Sequence, residues 1–358
     1  MRAAVLNEYN KPLEIEELQD PPLGPNDVRV QIDASGVCHS DLTVQKGKVP
    51  MPTPIVLGHE GSGTILEVGK EVTRVKKGDT VIASFMPACG LCFHCLNDES
   101  NLCETSSQNV VAARGIRPDG SNVFGMTGLG TFADLMLTGE ASVVKVDTDL
   151  PAEQLALIGC GVTTGVGAAL NTAKVKPGST VAVIGCGGVG QAVIQGARIA
   201  GAARIFAIDP VELKRKSAEQ LGATDLIDPA KGDPVSQVQE LTGGRGADYA
   251  FEVIGLPDTI SQAYATARRG GTVVVVGMPR MDAMVTLAAF PLFYDEKKLL
   301  GCVYGSAQVR RDFPRFISLV ETGRLDLGAM VSRRIKLDEV NDAFRAMEAG
   351  EVIRSVIV

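Results

Sequence analysis

"VAVIGCGGVGQAV", residues 181–193, sets Gly185, Gly187 and Gly190 in G-x-G-x-x-G spacing. Glycines in that pattern carry little by themselves. Here an apolar run precedes them and a helix-forming stretch follows, which is the setting of a dinucleotide-binding turn. Gly185 permits the tight turn, Gly187 lets the backbone approach a pyrophosphate, and Gly190 lets helix and strand pack closely. Gly188 and Val189 open the helix, whose free N–H groups would face the anion. Asp209, closing "RIFAID", stands about twenty positions on, where a carboxylate accepts from the adenosine ribose hydroxyls. Such a carboxylate repels a 2′-phosphate and favours NAD over NADP. Lys214 is a further candidate at the ribose, though a lone lysine is ordinarily a solvated charge.

Outward from this turn, "STVAVIG", "ARIFAID", "DYAFEVIG" and "GTVVVVG" are continuous apolar runs, the mark of strands covered on both faces. Helical stretches such as "QAVIQGARIA" and "ELKRKSAEQLG" lie between them, so the region after residue 175 reads as βαβ units around a parallel sheet. Residues 1–150 read differently. "DVRVQIDA" alternates Val28, Val30 and Ile32 with polar residues, and "GSGTILEVGKEVTRVKKGDTVIA" supplies two more strands between glycine and proline turns. Near the end, "LDEVNDAFRAMEAG" puts Leu337, Val340, Phe344 and Met347 on one helical face, with Gly350 as the stop.

The chain has 358 residues, enough for two or so domains, and its 45% hydrophobic content excludes general disorder. A net charge of −7 argues against a nucleic-acid binder, which needs a basic surplus to neutralise phosphates. No export signal and no stretch of eighteen uninterrupted apolar residues stands out, so the expectation is a cytoplasmic protein without a membrane span.

Eight cysteines and three histidines suggest metal. Within the lobe at 87–103, Cys89, Cys92, Cys95 and Cys103 have the spacing C-x2-C-x2-C-x7-C, and four thiolates fill a tetrahedral Zn²⁺. A filled sphere leaves no position for substrate, so this metal is a brace. His94 inside the lobe is a spare donor. Cys38, His59 and Cys160 offer two thiolates and an imidazole, a set that leaves a fourth position open. Scattered over the chain they form no local motif. Residue chemistry accounts equally for Cys38 and Cys160 as small buried hydrophobes and for His59 as a hydrogen-bonded core residue. Cys186 and Cys302 read as buried packing residues.

Taken together, "GVCHSDL", "GHEGSGTILEVGKEV", the four-cysteine lobe, "GCGVTTGVGAAL", "IGCGGVG" and "GEVIRSVIV" resemble, in order and over nearly the whole chain, the zinc-containing alcohol dehydrogenase family of the medium-chain dehydrogenase/reductase superfamily. The resemblance implies an α/β chain in which a Rossmann doubly wound parallel sheet (162–302) is inserted into a chaperonin-10-like, β-rich catalytic domain (1–161, returning at 303–358). It implies an active site in the cleft between the domains and a homodimer or homotetramer. Two zinc ions per chain and NAD are the implied cofactors.

Residue by residue, it assigns the catalytic zinc to Cys38, His59 and Cys160, with Glu60 behind the metal and Asp41 orienting His59. Ser40 takes the place of the hydroxyl that touches substrate oxygen. His39 stands where an arginine often meets the pyrophosphate, and Thr164, Val276 and Arg354 match positions at nicotinamide or pyrophosphate. Phe85 and Met278 match pocket-lining positions, although ordinary core packing accounts for them as well. Thr43 departs from the pattern: liver-type relatives carry a histidine there that finishes a proton relay, so the proton would leave through a ribose hydroxyl or through His39.

The expected reaction is reversible zinc-dependent oxidation of a primary or secondary alcohol, with hydride passing to NAD. Polyol- or threonine-type dehydrogenases share both motif sets and would want a more polar pocket. Glutathione-dependent formaldehyde dehydrogenases carry carboxylates where this chain has Gly47 and Val49, which disfavours that substrate and leaves another thiol adduct open. The reading of a different class, a zinc-ribbon nucleic-acid binder, conflicts with the negative charge and the complete glycine fingerprint.

Overall fold

A computed structural model describes residues 1–106 and 112–358. The chain forms two compact units: Met1–Gly161 with Gln308–Thr322 and Val331–Val358, and Val162–Ala307 with Gly323–Met330. Residues 303–307 and 323–330 thus lie with the second unit, where the sequence placed all of 303–358 with the first. Their side chains explain it. Leu325 and Leu327 are buried, and Gln195 of the second unit donates to the Asp326 carbonyl at 3.0 Å.

The second unit is built on six parallel strands: β1 Thr180–Ile184, β2 Arg204–Ile208, β3 Asp225–Ile227, β4 Ala247–Glu252, β5 Ala267–Val275 and β6 Lys298–Gly301. Their spatial order is 3-2-1-4-5-6, the doubly wound dinucleotide-binding arrangement. Both faces are covered, as the apolar runs require. Val181, Val183, Ile205, Ala207 and Phe251 join one cluster with Val193, Ile194 and Ala197 of the helix α1, Gly188–Ile199. Ala182, Ile184, Phe206, Ile208 and Ala250 join a second cluster on the other face. Alternate residues of one strand therefore enter different cores, and neither set can become polar.

The first unit is β-rich. One sheet runs in the order Val143–Lys145, Thr80–Ala83, Glu60–Val68, Asp27–Gly36, Arg354–Ile357, Val331–Ile335, with Leu135–Gly139 also paired to Asp27–Gly36. A five-stranded sheet contains Glu14–Glu17, Arg2–Leu6, Ile55–Val56, Asn122–Gly125 and Ala113–Ile116. Val28 and Val30 are fully buried, as their alternation predicts, and Ile32 is partly buried. The C-terminal helix Val340–Glu348 buries Val340, Phe344 and Met347, and Leu337 is buried just before it. Gly350 adopts φ +73°, which ends the helical run.

One continuous helical run, Ala152–Thr172, has the length and mean hydropathy of a membrane span, but 78% of its most apolar window is buried. It is a core helix, kept apolar by its packing. Within it Ile158–Val162 forms a π-helical turn, and Cys160 sits in that turn. Such single π turns are frequent at functional sites, because the extra residue redirects a side chain.

Candidate active site

Asp41 organises the first metal set. It sits in the opening turn of the helix His39–Gln45, and its Oδ2 accepts from the Cys38 N–H at 2.9 Å, as in a capping box. Its Oδ1 accepts from the Gly58 N–H at 3.1 Å and lies 3.0 Å from His59 Nδ1. With Nδ1–H given to Asp41, the His59 Nε2 lone pair is left for a metal. One fully buried carboxylate therefore fixes two segments that are far apart in sequence. Gly58 has φ +89°, and a Cβ there would lie 2.6 Å from the Phe132 backbone nitrogen, so only glycine carries the chain into His59.

Cys38, His59, Glu60 and Cys160 are all buried, and their donor atoms lie within 4.8 Å of one another. Glu60 is fully buried. Its Oε1 accepts from the Gly161 N–H at 3.2 Å, and its Oε2 is ion-paired with Arg354 Nη2. A Cβ on Gly36 would lie 2.2 Å from Glu60 Oε2, so that glycine makes room for the pair. Arg354, expected at the cofactor, gives its Nη2 to Glu60, because the strand Arg354–Ile357 pairs beside Gly36 and aims the side chain inward. The charges reinforce one another. A hydrogen bond with Cys160 pulls the Cys38 thiol well below its ordinary range; burial opposes, and His59 and Arg354 add to the lowering. Burial pushes the His59 imidazolium down, but Asp41 and Cys38 outweigh this and bring it up to about 10. These shifts favour a thiolate at Cys38, the form that binds a divalent cation.

The remaining residues near this set are in the first unit too. Ser40 Oγ is 3.8 Å from Cys38 Sγ. The Phe85 ring meets His59 edge-on, with centroids 5.5 Å apart. His39 is exposed, and its carbonyl accepts from Thr43 Oγ1 at 2.8 Å, which commits the threonine proton to the helix backbone.

In the lobe, Cys89 and Cys95 sulfurs are 4.0 Å apart and Cys92 and Cys103 sulfurs 3.9 Å apart. A tetrahedron with Zn–S near 2.3 Å has edges of about 3.8 Å, whereas a disulfide needs about 2.05 Å. All eight cysteines are free. The Leu91 and Cys92 N–H groups donate to Cys89 Sγ at 3.4 and 3.3 Å and lower its thiol to about 6, against an opposing burial effect. Such donors suit a thiolate, and the lobe fits a four-sulfur metal. His94 is outside the set; its Nδ1 is 2.9 Å from Glu99.

In the second unit the fingerprint glycines do three different things. Gly185 turns at φ +95°. A Cβ on Gly187 would meet nothing within 4 Å, which leaves an open approach to the backbone. A Cβ on Gly190 would lie 1.9 Å from the Gly185 carbonyl oxygen. Gly187 caps α1, whose first residues are Gly188 and Val189. Asp209 Oδ2 accepts from the Cys186 N–H at 2.9 Å and Oδ1 from the Val211 N–H at 2.8 Å, so the carboxylate is locked beside the glycine turn with lone pairs to spare. Lys214 is half-buried; its carbonyl accepts from Gln191. Thr164 is half-buried in the helical run, Val276 is half-buried, and Met278 is 48% exposed. The buried Gln191, which ties the Cys186 and Lys214 carbonyls together, went unnoticed in the sequence. Its place on the second turn of α1 was the available signal.

Comparison with known proteins identifies the family. The family profile described as "Alcohol dehydrogenase GroES-like domain" matches residues 24–148, and that described as "Zinc-binding dehydrogenase" matches 188–322. A Mycobacterium tuberculosis protein provisionally named alcohol dehydrogenase D is 40% identical over 99% of both chains. The chain belongs to the zinc-containing alcohol dehydrogenase family. An S-(hydroxymethyl)glutathione dehydrogenase of Synechocystis sp. is 39% identical, again over 99% of both chains. Among solved structures, benzyl alcohol dehydrogenase from Acinetobacter calcoaceticus superimposes with a TM-score of 0.92 at 33% identity, covering 99% of this chain and 98% of that one. This dehydrogenase is accordingly a zinc-dependent oxidoreductase of small alcohols and aldehydes that works with a nicotinamide cofactor.

Proposed function

We propose that this family member oxidises apolar primary or secondary alcohols reversibly, at a zinc held by Cys38, His59 and Cys160, with NAD as hydride acceptor. The observation that carries the reading is the three-ligand set, with Cys38 and His59 held in register by Asp41 and a Ser40 hydroxyl beside Cys38. A zinc ion there supplies Lewis acidity at an alcohol or carbonyl oxygen. Ser40 receives the alcohol proton. Thr43 is turned back onto the helix, so the proton passes on by way of exposed His39 or solvent. The Phe85 ring against His59 supports an apolar substrate, and Gly47 and Val49 offer no carboxylate to a glutathione ammonium. Asp209 supports NAD over NADP.

The eight free thiols support a reducing, cytoplasmic setting. The outer edge of β6, with exposed Leu299, Phe290 and Phe293 nearby, supports a homo-oligomer that pairs this edge with a second copy. Light scattering of Leu299→Lys against wild type tests that point.

The deciding experiment combines metal analysis with alcohol-dependent NAD reduction. Two zinc per chain and faster turnover of benzylic and branched alcohols than of polyols are expected. One zinc per chain after zinc-replete purification, or activity confined to a thiol adduct of formaldehyde, would overturn the reading.

A further inference from the structure

Glu252 closes β4 and is fully buried. Its Oε1 accepts three hydrogen bonds: from the Ile254 N–H at 2.8 Å, the Gly255 N–H at 2.7 Å and Thr259 Oγ1 at 2.7 Å. Its Oε2 is buried and has no hydrogen-bond partner among the described residues. The Glu252 carbonyl accepts from the Val276 N–H at 2.8 Å and the Gly277 N–H at 3.0 Å. Two segments after adjacent strands therefore hang on one residue.

The turn after β4 packs against Gly185, and the Val276–Met278 segment packs backbone to backbone against that turn. A Cβ on Gly185 would lie 2.6 Å from Ile254 Cγ1 and 3.3 Å from the Val253 carbonyl oxygen. A Cβ on Gly277 would lie 2.1 Å from the Gly255 nitrogen, and one on Gly255 would lie 2.5 Å from the Met278 carbonyl oxygen. Positions without room for a methyl group are close-packed, and close-packed segments shift together. Bonds to a carboxylate are stronger than those to a neutral acceptor, so the charge stiffens the turn. The same charge leaves Oε2 buried without a donor, which is costly. An amide in its place would put N–H donors where Oε2 lies, and these would need acceptors of their own.

We propose that Glu252 is a positioning residue for the dinucleotide. It pins the 253–259 turn between Gly185 and the Val276–Met278 segment and so sets the width of the cofactor's floor. This rests on the dinucleotide reading of the second unit. The test measures NADH affinity by fluorescence, with melting temperature and amide exchange at Ile254 and Gly255 in the cofactor-free chain. Glu252→Gln should exchange faster at both amides and bind NADH at least threefold more weakly, by more than any change in melting temperature explains. Thr259→Val, which removes one donor, should weaken NADH at least twofold. Unchanged NADH affinity in both variants would overturn the proposal, as would a loss of affinity that merely follows a loss of stability. If the wild-type chain itself fails to bind NADH, the dinucleotide reading falls with it.

Discussion

Asp41 does more at the zinc set than either neighbouring cysteine or histidine can do alone. Its two oxygens hold the Cys38 backbone, the Gly58 backbone and the His59 ring, so the ligands are aimed before any metal arrives. Asp41→Asn keeps the shape but leaves one of those donors facing an N–H. It should weaken catalytic-zinc affinity by about 10–100-fold, the usual effect of losing a ligand's orienting partner. Metal competition with a chromogenic chelator reads this directly, and an affinity unchanged within twofold would refute the role. His59→Ala, by contrast, should abolish turnover while NADH binding persists, since every fingerprint contact is in the other unit; stopped turnover together with lost NADH binding would point to misfolding instead.

At the level of elements, the lobe and the first helix of the dinucleotide unit make opposite demands. The lobe exposes Leu91, Phe93 and Leu96 at 66–81%, so little apolar burial holds it and its four sulfurs must. Cys89→Ser should cut bound zinc by one per chain and make the lobe the first site of proteolysis, with lost zinc scored by plasma emission. Helix α1 needs the reverse, close contact and no side chain. Gly190→Ala drives a methyl into the Gly185 carbonyl and should cost about 1–3 kcal/mol, the range for overpacking, together with much of the NADH affinity. A calorimetric melt near wild type would mean that the turn can give way.

Over a whole unit, the pH dependence of stability follows from where the carboxylates are tied. Asp248 accepts from the Thr180 N–H at 2.7 Å and from Arg268 Nε at 2.7 Å, joining the starts of three adjacent strands. Burial pushes its carboxyl up, but the Thr180 and Arg268 bonds outweigh this and hold it below the usual range. A lowered folded value against an unfolded one near 3.9 means that the stabilisation is complete above about pH 4 and is lost as pH falls through the folded value. Asp248→Asn should therefore lower the melting temperature at pH 7, by roughly 1–2 kcal/mol in stability, and the gap to wild type should close below about pH 4. A gap that widens on acidification would reverse the sign and refute the assignment.

The local chemistry was legible in the chain itself. Continuous apolar runs require strands covered on both faces, glycine spacing requires a turn with room beside it, and four clustered cysteines need only their own loop to reach one ion. Short-range patterns of this kind are written in consecutive residues, so sequence determines them. Tertiary structure decided the rest. Cys38, His59 and Cys160 converge only because a π turn, a left-handed glycine and a capping carboxylate bring three remote segments together. Arg354 answers to Glu60 because two strands pair, and Glu252 acquires its burden from turns that meet only once the sheet is assembled. Each is a relation between distant segments, fixed by packing that no stretch of sequence contains by itself.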